Sequence, residues 1–243
     1  MSSITPARFG PIDVDSCMAP PSTCLDGIPN RLEDATSSLI GSMAKRAIDL
    51  VGAIGGLICL APIMGLIAVL IRLGSKGPIL FRQVRLGRDG KPFYCLKFRT
   101  MVADAEKKLD ELENLNESAG GVLFKIKEDP RVTGLGRILR KTSLDELPQL
   151  WNVLVGEMSL VGPRPLQLRD CDRLDANDPI GYQKRLKVLP GITGPWQVGG
   201  RSDVDSDRMM DLDLDYVDNW SLGLDLRIIA RTVVVVALGR GAC

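Results

Sequence analysis

The dominant feature of the hydrophobic pattern is an unbroken apolar run from Leu50 to Ile71, LVGAIGGLICLAPIMGLIAVLI. A helix of this length is roughly 33 Å long, and the run exceeds the ~18 residues at which an apolar segment becomes a candidate for crossing a bilayer. Pro62 lies near the middle of the run, where it removes one backbone donor and clashes with the preceding turn. The pattern therefore predicts a membrane helix over residues 47–72 that kinks or breaks at Pro62.

Two membrane arrangements fit this run. Each arm beside Pro62 would reach about the midplane of the bilayer, so the chain could enter and leave by the same face as a re-entrant hairpin. Lys45 and Arg46 precede the run, and Arg72 and Lys76 follow it, so both ends carry the positive charge expected on the cytoplasmic side. A kinked helix that spans the membrane once is the alternative, because proline is tolerated in spanning helices.

Downstream of Lys76 the pattern becomes that of a soluble domain. Residues 79–101 contain two short strand-like runs around the turn sequence RDGKP, which predicts a β-hairpin. Helical spacing predicts surface helices over 104–116 and 211–220 and a short basic helix that ends near Lys141. The last apolar segment, with Arg227, Arg231 and Arg240 spaced along it, fits either a strand or an interfacial helix beside the membrane.

These elements predict an α/β chain of the helix-rich α+β type. Residues 1–38 combine five prolines with small polar residues and lack the apolar block of a signal peptide, which predicts a mobile tail. We expect residues 39–243 to form one domain, with the membrane segment at its start. The expected architecture is a membrane-associated monotopic domain with a proline-broken re-entrant helix, a β-hairpin and interfacial helices.

Composition restricts the chemistry available to this domain. The chain of 243 residues contains no histidine, which excludes Ser-His-Asp and Cys-His catalysis and HExxH zinc sites. Its six cysteines show no CxxC spacing, so a reducing, cytosolic compartment is expected rather than a disulfide framework or a zinc site. A net charge of +1 and few aromatic residues argue against a nucleic-acid partner. Chemistry must therefore rest on carboxylates, lysine and arginine, with or without a metal ion held by oxygen atoms.

The predicted hairpin is strongly basic. This charge suits either a solvated face or a surface for lipid headgroups or a nucleotide diphosphate. The basic residues concerned are Arg82, Arg85, Arg88, Lys91, Lys97 and Arg99.

The sequence Ser143-Leu144-Asp145-Glu146 has two interpretations. As a capping box, it would use Ser143 as the N-cap of a helix, but Pro148 would then lie at a position that needs a backbone donor. With Asp145 as the N-cap, Pro148 falls within the first turn, where no donor is needed. Both registers place two adjacent carboxylates at the positive end of a helix, downstream of Arg140, where they could attract phosphate and offer oxygen ligands to Mg²⁺.

Two loops present further candidate residues. Arg164 lies between Pro163 and Pro165, which fix the backbone and hold its guanidinium at a defined point suited to a phosphate or a base. The sequence LPGITGPWQVGGRSD forms a loop that presents Gln197 and Arg201. This second loop is weak evidence alone, because the chain contains neither GxxxxGK[ST] nor GxGxxG.

Taken together, these motifs resemble those of the bacterial sugar transferases, the monotopic polyprenyl-phosphate hexose-1-phosphate transferases. The resemblance runs from about Lys45 to the C-terminus, and the chain resembles the family's minimal catalytic unit. It implies transfer of a sugar 1-phosphate from a UDP-sugar to undecaprenyl phosphate on the cytoplasmic face of the inner membrane, the step that opens a glycan assembly pathway. The motifs that carry it are KRAIDLVGA, LKFRTM, DPRVTGLGRILRKTSLDELPQLWNVLVGEMSLVGPRP and PGITGPWQVGGRSD.

The resemblance also implies roles for individual residues. Asp145 and Glu146 match the catalytic pair, with Asp145 as the nucleophile that forms an aspartyl phosphosugar intermediate and Glu146 as a ligand of Mg²⁺. The positions that match substrate-binding residues near the phosphates and the uridine are Lys97, Arg99, Arg140, Arg164, Gln197 and Arg201. The family breaks its re-entrant helix at a Ser-Pro pair, where this chain has Ala61-Pro62. The rival interpretation is a membrane-anchored scaffold that binds anionic headgroups and performs no chemistry.

Overall fold

The computed structural model describes residues 39–102, 105, 129–199 and 206–237. The predicted tail 1–38 and, apart from Ala105, the predicted helix 104–116 lie outside the described residues. The described part is helix-rich, with two small sheets of two strands each. Its helices are α1 (Leu39–Gly74), α2 (Gly134–Lys141), α3 (Gln149–Val155), α4 (Leu168–Asn177), α5 (Pro179–Arg185), α6 (Pro195–Gly199), α7 (Ser206–Asp218) and α8 (Leu222–Ala237), and its strands are β1 (Leu80–Leu86), β2 (Pro92–Phe98), β3 (Ser159–Val161) and β4 (Gly191–Thr193).

Of the two predicted effects of Pro62, a kink or a break, the break is wrong, because α1 is a single helix with Pro62 inside it. A stripe of buried residues runs along one face, with Asp49 and Ala53 before the proline and Ile67 and Ile71 after it. Separations of four, fourteen and four residues place these side chains on one face of a continuous helix. Pro62 is exposed, so its ring lies off the packed stripe and the helix continues through it.

The opposite face of α1 is apolar and uncovered. Among the described residues, one helix is long and apolar enough to cross a membrane, and it is this one, with a mean hydropathy of 2.6 over the window tested within Gly41–Gly74. Val51, Ile58 and Leu73 are 73%, 69% and 80% exposed. Exposure of so long an apolar face to water is unfavourable, so α1 is suited to contact with lipid.

Both ends of α1 pack against the same globular body. Near its N-terminus, Lys45 Nζ lies 2.7 Å from Asp225 Oδ2 of α8 and donates to the carbonyl of Val161 at 3.0 Å. Near its C-terminus, Ile71 packs in a cluster with Phe98 and Leu139. The globular domain therefore holds the helix on both sides of Pro62.

The predicted β-hairpin is confirmed. β1 pairs with β2 in antiparallel fashion, in a register that places Phe81 opposite Lys97 and Arg85 opposite Phe93. The strands are joined by a single 3₁₀ turn, Arg88–Gly90. Asp89 and Gly90 take positive φ values of 57° and 72° there, a conformation that aspartate and glycine tolerate better than most residues.

A second sheet, which the sequence did not predict, pairs β3 with β4 in parallel. The two backbones approach so closely that a Cβ atom at Gly191 would lie 2.1 Å from the Gly162 nitrogen. Glycine is therefore required at this crossing. Because the Pro163–Pro165 loop follows β3 directly, this sheet fixes where the loop begins.

The C-terminal segment is helical. The alternative of a strand for the last apolar stretch is wrong, since α8 runs from Leu222 to Ala237. Its Ile228 packs with Tyr216, Val217 and Val161 in a buried cluster. The acidic helix predicted over 211–220 corresponds to α7, which begins earlier, at Ser206, and ends earlier, at Asp218.

Candidate functional site

The two adjacent carboxylates lie on a 3₁₀ turn, Leu144–Glu146, that precedes α3. Both predicted registers are wrong: α3 begins at Gln149, after Pro148, and the Ser143 side chain forms no cap hydrogen bond. Ser143 adopts a left-handed conformation with φ of 56°, which prevents it from starting an α-helix. The turn directs Asp145 and Glu146 toward the hairpin and the Pro163–Pro165 loop instead of capping a helix.

Glu146 is the centre of a compact ion cluster. Lys97 Nζ of β2 lies 2.7 Å from its Oε1 atom. Arg164 donates from Nη2 to Oε1 at 2.5 Å and from Nη1 to Oε2 at 3.3 Å. The Glu146 side chain is only 15% exposed, so the cluster joins the hairpin, the 3₁₀ turn and the proline loop in a largely desolvated contact.

The cluster determines the charge state of Glu146. Burial alone would raise the pKa of this carboxyl, but the charges of Arg164 and Lys97 and their hydrogen bonds lower it well below its usual value. Glu146 is therefore an anion at physiological pH. Its two oxygen atoms neutralise Lys97 and Arg164, which the family resemblance predicts to lie near a substrate phosphate.

Asp145 lies beside Glu146 in a different environment. Its carboxylate is 8% exposed, and within the described part of the chain no hydrogen bond or ion pair engages it. Burial raises the pKa of Asp145 above its usual value, and the charge of Glu146 adds to that effect, while Lys97 and Arg140 oppose it. Adjacent carboxylates whose pKa values are shifted in opposite directions are typical of catalytic pairs with divided roles.

Arg140 of α2 completes the ring of cations. It is half-buried and donates from Nε to the Thr100 hydroxyl at 3.0 Å. Burial lowers the pKa of its guanidinium, and the charge of Asp145 opposes that shift. The structure thus brings Lys97, Arg140 and Arg164 together around the carboxylate pair, and their predicted contacts with substrate stay a prediction.

The remaining predicted residues are placed elsewhere or fall outside the described ranges. Arg99 donates to the Ser75 carbonyl at 3.0 Å and to the Lys76 carbonyl at 3.2 Å, so it holds the loop that follows α1. Gln197 is buried on α6 with its amide oxygen beside Gly194. Arg201 lies outside the described residues.

Two arginines support the site in a way that the sequence did not predict: Arg185 was not named, and Arg85 was named only among the basic residues of the hairpin. Three consecutive carbonyl groups of the proline loop each accept a hydrogen bond. The Pro163 carbonyl accepts from the Gly191 nitrogen. The Arg164 carbonyl accepts from Arg185, and the Pro165 carbonyl accepts from Arg85. Two prolines deprive this loop of backbone donors, so carbonyl contacts must fix it. One signal was available for Arg85, because strand alternation places it on the inward face, opposite buried Phe93.

The two supporting arginines differ in how their charge is balanced. Arg185 forms an ion pair with Asp213 at 2.8 Å, and both side chains are almost fully buried. Arg85 is 8% exposed, and no described carboxylate forms an ion pair with it. The field of Arg85 therefore adds positive potential behind Arg164, in a region of low dielectric.

The side chains of the site can be compared with the ligands that Mg²⁺ prefers. The described residues contain no group of three or more metal-binding side chains. Asp145 and Glu146 nevertheless fit this ion, because Mg²⁺ is often bound by one or two carboxylates together with substrate phosphates. The Asp145 carboxylate is available, whereas the Glu146 oxygen atoms are held by Lys97 and Arg164.

Comparison with known proteins gives a consistent result. The chain matches the bacterial sugar transferase family over residues 40–239. It is 41% identical over 206 residues to the exopolysaccharide production protein ExoY of Rhizobium meliloti, an alignment that covers 84% of this chain and 89% of ExoY. It is 41% identical over 215 residues to the undecaprenyl-phosphate galactose phosphotransferase of Salmonella typhimurium, covering 87% of this chain and 44% of that protein.

A third relative has a different named sugar. The chain is 39% identical over 215 residues to the UDP-glucose:undecaprenyl-phosphate glucose-1-phosphate transferase of Escherichia coli, covering 86% of this chain and 44% of the relative. The chain thus spans most of ExoY but less than half of the two relatives that are named for a reaction.

Proposed function

This chain belongs to the bacterial sugar transferase family, and on that basis we propose that it transfers a hexose 1-phosphate from a UDP-sugar to undecaprenyl phosphate and releases UMP. The names of the Salmonella and Escherichia relatives support this reaction class. The name of ExoY supports a place in exopolysaccharide production. In this assignment the chain carries out the first membrane-bound step of glycan assembly.

The contrast between the two carboxylates is the observation that carries the mechanism. Glu146 is held by Lys97 and Arg164, whereas the Asp145 carboxylate has no partner among the described residues. A carboxylate without a cationic partner and with a raised pKa is the better nucleophile of the two. Asp145 is therefore the residue that attacks, and Glu146 is the residue that organises the cations.

The reaction proceeds in two balanced steps. In the first, an Asp145 oxygen forms a bond to the phosphorus attached to the sugar, and the bond from that phosphorus to the bridging oxygen breaks. The electron pair leaves with UMP, and an aspartyl phosphosugar remains. In the second, an oxygen of undecaprenyl phosphate attacks the same phosphorus, and the Asp145 carboxylate is regenerated. Dividing the transfer in this way avoids direct attack of one polyanion on another.

The cations around Glu146 have a direct role in this chemistry. Lys97 and Arg164 are oriented by Glu146 before substrate arrives, so less reorganisation is needed when phosphate charge develops. The planar Arg164 guanidinium can engage two phosphate oxygens at once. Arg140 lies on the Asp145 side, where it favours the ionised form of the nucleophile.

Mg²⁺ is the metal that this site is proposed to use, with Asp145 and Glu146 as its protein ligands. When bound, the ion supplies positive charge that stabilises the leaving UMP phosphate. For Glu146 to contribute an oxygen, Lys97 and Arg164 must transfer part of their contacts to the donor phosphates. Glu146 thus pairs with the two cations until the substrate phosphates replace it as their anionic partner.

The arrangement of α1 supports a re-entrant or in-plane topology. Lys45 at one end and Ile71 at the other both contact the globular domain. A helix that crossed a hydrocarbon core of ~30 Å would carry one end away from a domain located in water. We therefore assign both ends of α1, and the catalytic site, to the cytoplasmic face of the inner membrane, where the nucleotide donor and the lipid phosphate meet.

Release of UMP tests this proposal. The full chain, in detergent or nanodiscs, is incubated with undecaprenyl phosphate, Mg²⁺ and either UDP-glucose or UDP-galactose. We expect UMP release that requires the lipid phosphate for multiple turnovers and is abolished by EDTA and in Asp145→Asn. Binding of the UDP-sugar without UMP release, over a panel of UDP-hexoses, would favour the non-catalytic scaffold instead.

A further inference from the structure

Helix α8 has two apolar faces. One face is buried, with Ile228 3% exposed inside the domain. The other faces outward, with Leu226, Val233 and Val234 exposed by 55%, 65% and 55%. The spacing of these residues, at i, i+7 and i+8, places them on one side of the helix. Part of α8 therefore offers an apolar surface that no described residue covers.

A pair of arginines borders this outward face. Arg227 and Arg231 are both exposed and lie one helical turn apart. No ion pair with a carboxylate of the described residues involves either of them. Like charges at this spacing repel each other on a helix. An anion shared by the two guanidinium groups would relieve that repulsion.

The two arginines also line a cavity. It has a volume of about 360 Å³ and is bounded by Arg227, Arg231 and four small apolar side chains, namely Val198, Ala230, Val234 and Val235. A cavity with two cations and an otherwise apolar wall is suited to an amphipathic anion. Apart from the two arginines, the described residues that line it offer a soluble nucleotide no hydrogen-bonding side chain for its sugar and base.

The position of α8 links this cavity to the proposed membrane surface. Asp225, at the start of α8, binds Lys45 of α1 at 2.7 Å, and the same Lys45 nitrogen lies 5.9 Å from the centre of the Trp220 ring. Tryptophan and lysine are common where a helix meets the headgroup layer. The outward face of α8 thus begins close to the end of the helix that contacts lipid.

We propose that α8 lies in the membrane interface and that Arg227 and Arg231 bind the phosphate of an anionic phospholipid, such as phosphatidylglycerol. Leu226, Val233 and Val234 enter the acyl boundary, as in other amphipathic interfacial helices. The long arginine side chains reach from that depth to the headgroups. This inference rests on the membrane association proposed above, and it defines a lipid contact separate from the Asp145 and Glu146 site.

A fluorescent reporter on α8 tests the inference locally. Ala230→Cys is labelled with bimane in a full chain whose native cysteines are replaced by alanine. The protein is reconstituted into phosphatidylcholine nanodiscs that contain increasing fractions of brominated phosphatidylglycerol or brominated phosphatidylcholine. Each basic residue near an anionic surface contributes about a fivefold change in binding. We therefore expect half-maximal quenching at roughly 20-fold less phosphatidylglycerol than phosphatidylcholine.

A matched pair of variants separates specific binding from general charge. Arg227→Gln with Arg231→Gln should abolish the preference for phosphatidylglycerol. Arg88→Gln with Lys187→Gln removes the same charge from two exposed residues near Asp89. This control variant should retain the preference for phosphatidylglycerol. The circular dichroism spectrum of each variant checks that the fold is intact.

Several outcomes would overturn the inference. Equal quenching by the two lipids, or a preference that persists in the Arg227 and Arg231 variant, would exclude an anionic lipid site at these arginines. No quenching by either lipid would show that α8 does not lie in the membrane interface. Reversal of quenching by an equimolar amount of undecaprenyl phosphate would identify the cavity as an acceptor site. Because this assay contains no UDP-sugar, a chain that binds phosphatidylglycerol but releases no UMP would contradict only the proposed reaction.

Discussion

Arg164 donates two hydrogen bonds to the Glu146 carboxylate, one to each oxygen atom. The two residues are 18 positions apart in sequence, and their contact connects the 3₁₀ turn to the loop between two prolines. The pair orients a planar guanidinium where a substrate phosphate would bind, and it leaves Asp145 as the carboxylate without a cationic partner. The predictions below follow from this arrangement.

Replacement of Arg164 by lysine retains the positive charge but removes the planar fork. We expect kcat/KM for the UDP-sugar to fall about 10- to 100-fold, mainly through KM, because two parallel hydrogen bonds to phosphate are lost. Steady-state kinetics with each substrate varied in turn provide the measurement. Arg137→Lys, an exposed arginine on α2, is the matched control and should remain within about twofold of the parent chain. A raised KM for undecaprenyl phosphate alone would assign Arg164 to the acceptor.

Arg185 should act through the position of Arg164. Because Arg185 holds the Arg164 carbonyl and is itself paired with buried Asp213, Arg185→Lys should raise KM for the UDP-sugar in the same direction as Arg164→Lys. The double variant should be less impaired than the product of the two single effects, since both act on one loop. Lys184→Gln, on the same helix but paired with Asp218 near the surface, is the control. Full multiplicativity in the double variant would mean that Arg185 acts independently of Arg164.

The raised pKa of Asp145 predicts a stability effect with a defined sign. A carboxyl whose pKa is higher in the folded state destabilises the fold when ionised, and that penalty disappears as pH falls through the raised value. Asp145→Asn should therefore increase the thermal unfolding temperature at pH 7.5, by a few degrees for about 1 kcal/mol. The difference from the parent chain should shrink at acidic pH. A gain that is independent of pH would show that the ionisation of Asp145 is not its cause.

The lowered pKa of Glu146 predicts an effect on stability of the opposite sign. Its lowered pKa means that its ionised form stabilises the fold at all pH values above its unfolded-state pKa of about 4.3. That contribution is lost only as pH falls below this range toward the folded-state pKa. Glu146→Gln should thus lower the unfolding temperature at pH 7.5, since it leaves the partly buried Lys97 and Arg164 without their anion. An unchanged unfolding temperature would contradict the ion cluster.

The topology of α1 can be tested with single cysteines. Ser42→Cys and Lys76→Cys, each in a chain without native cysteines, should both resist a membrane-impermeant thiol reagent in intact cells and react after lysis. Reaction of either position in intact cells would indicate a helix that spans the membrane.

Local patterns predicted much of this fold. The hairpin follows from alternation and the turn sequence between Arg88 and Pro92, and the carboxylate pair follows from a motif contained in a few consecutive residues. The same patterns failed where a distant contact overrides local preference. Pro62 does not break α1, and the domain packs against the same face of the helix before and after it.

The candidate site shows the same division. Lys97 and Arg164 contact Glu146, and Arg140 lies near Asp145, but the family resemblance, not local spacing, named these three positions. Arg99 has the same chemistry but binds the Ser75 carbonyl, and no sequence spacing distinguishes an arginine that serves a loop from one that serves a phosphate. Arg185 binds the Arg164 carbonyl across 21 positions of sequence, so its role can be recognised only in the folded structure.

The central claim is that Asp145 carries the sugar phosphate between the two substrates. The full chain is incubated without undecaprenyl phosphate, but with Mg²⁺ and a UDP-hexose labelled in the phosphate bonded to the sugar, and is then quenched in acid and digested. Mass spectrometry of the peptide that contains Asp145 and Glu146 should show one labelled hexose phosphate on Asp145, with a stoichiometric burst of UMP, and no adduct in Asp145→Asn. No adduct, together with initial-rate lines that intersect rather than run parallel, would contradict the account and indicate direct transfer between the two phosphates.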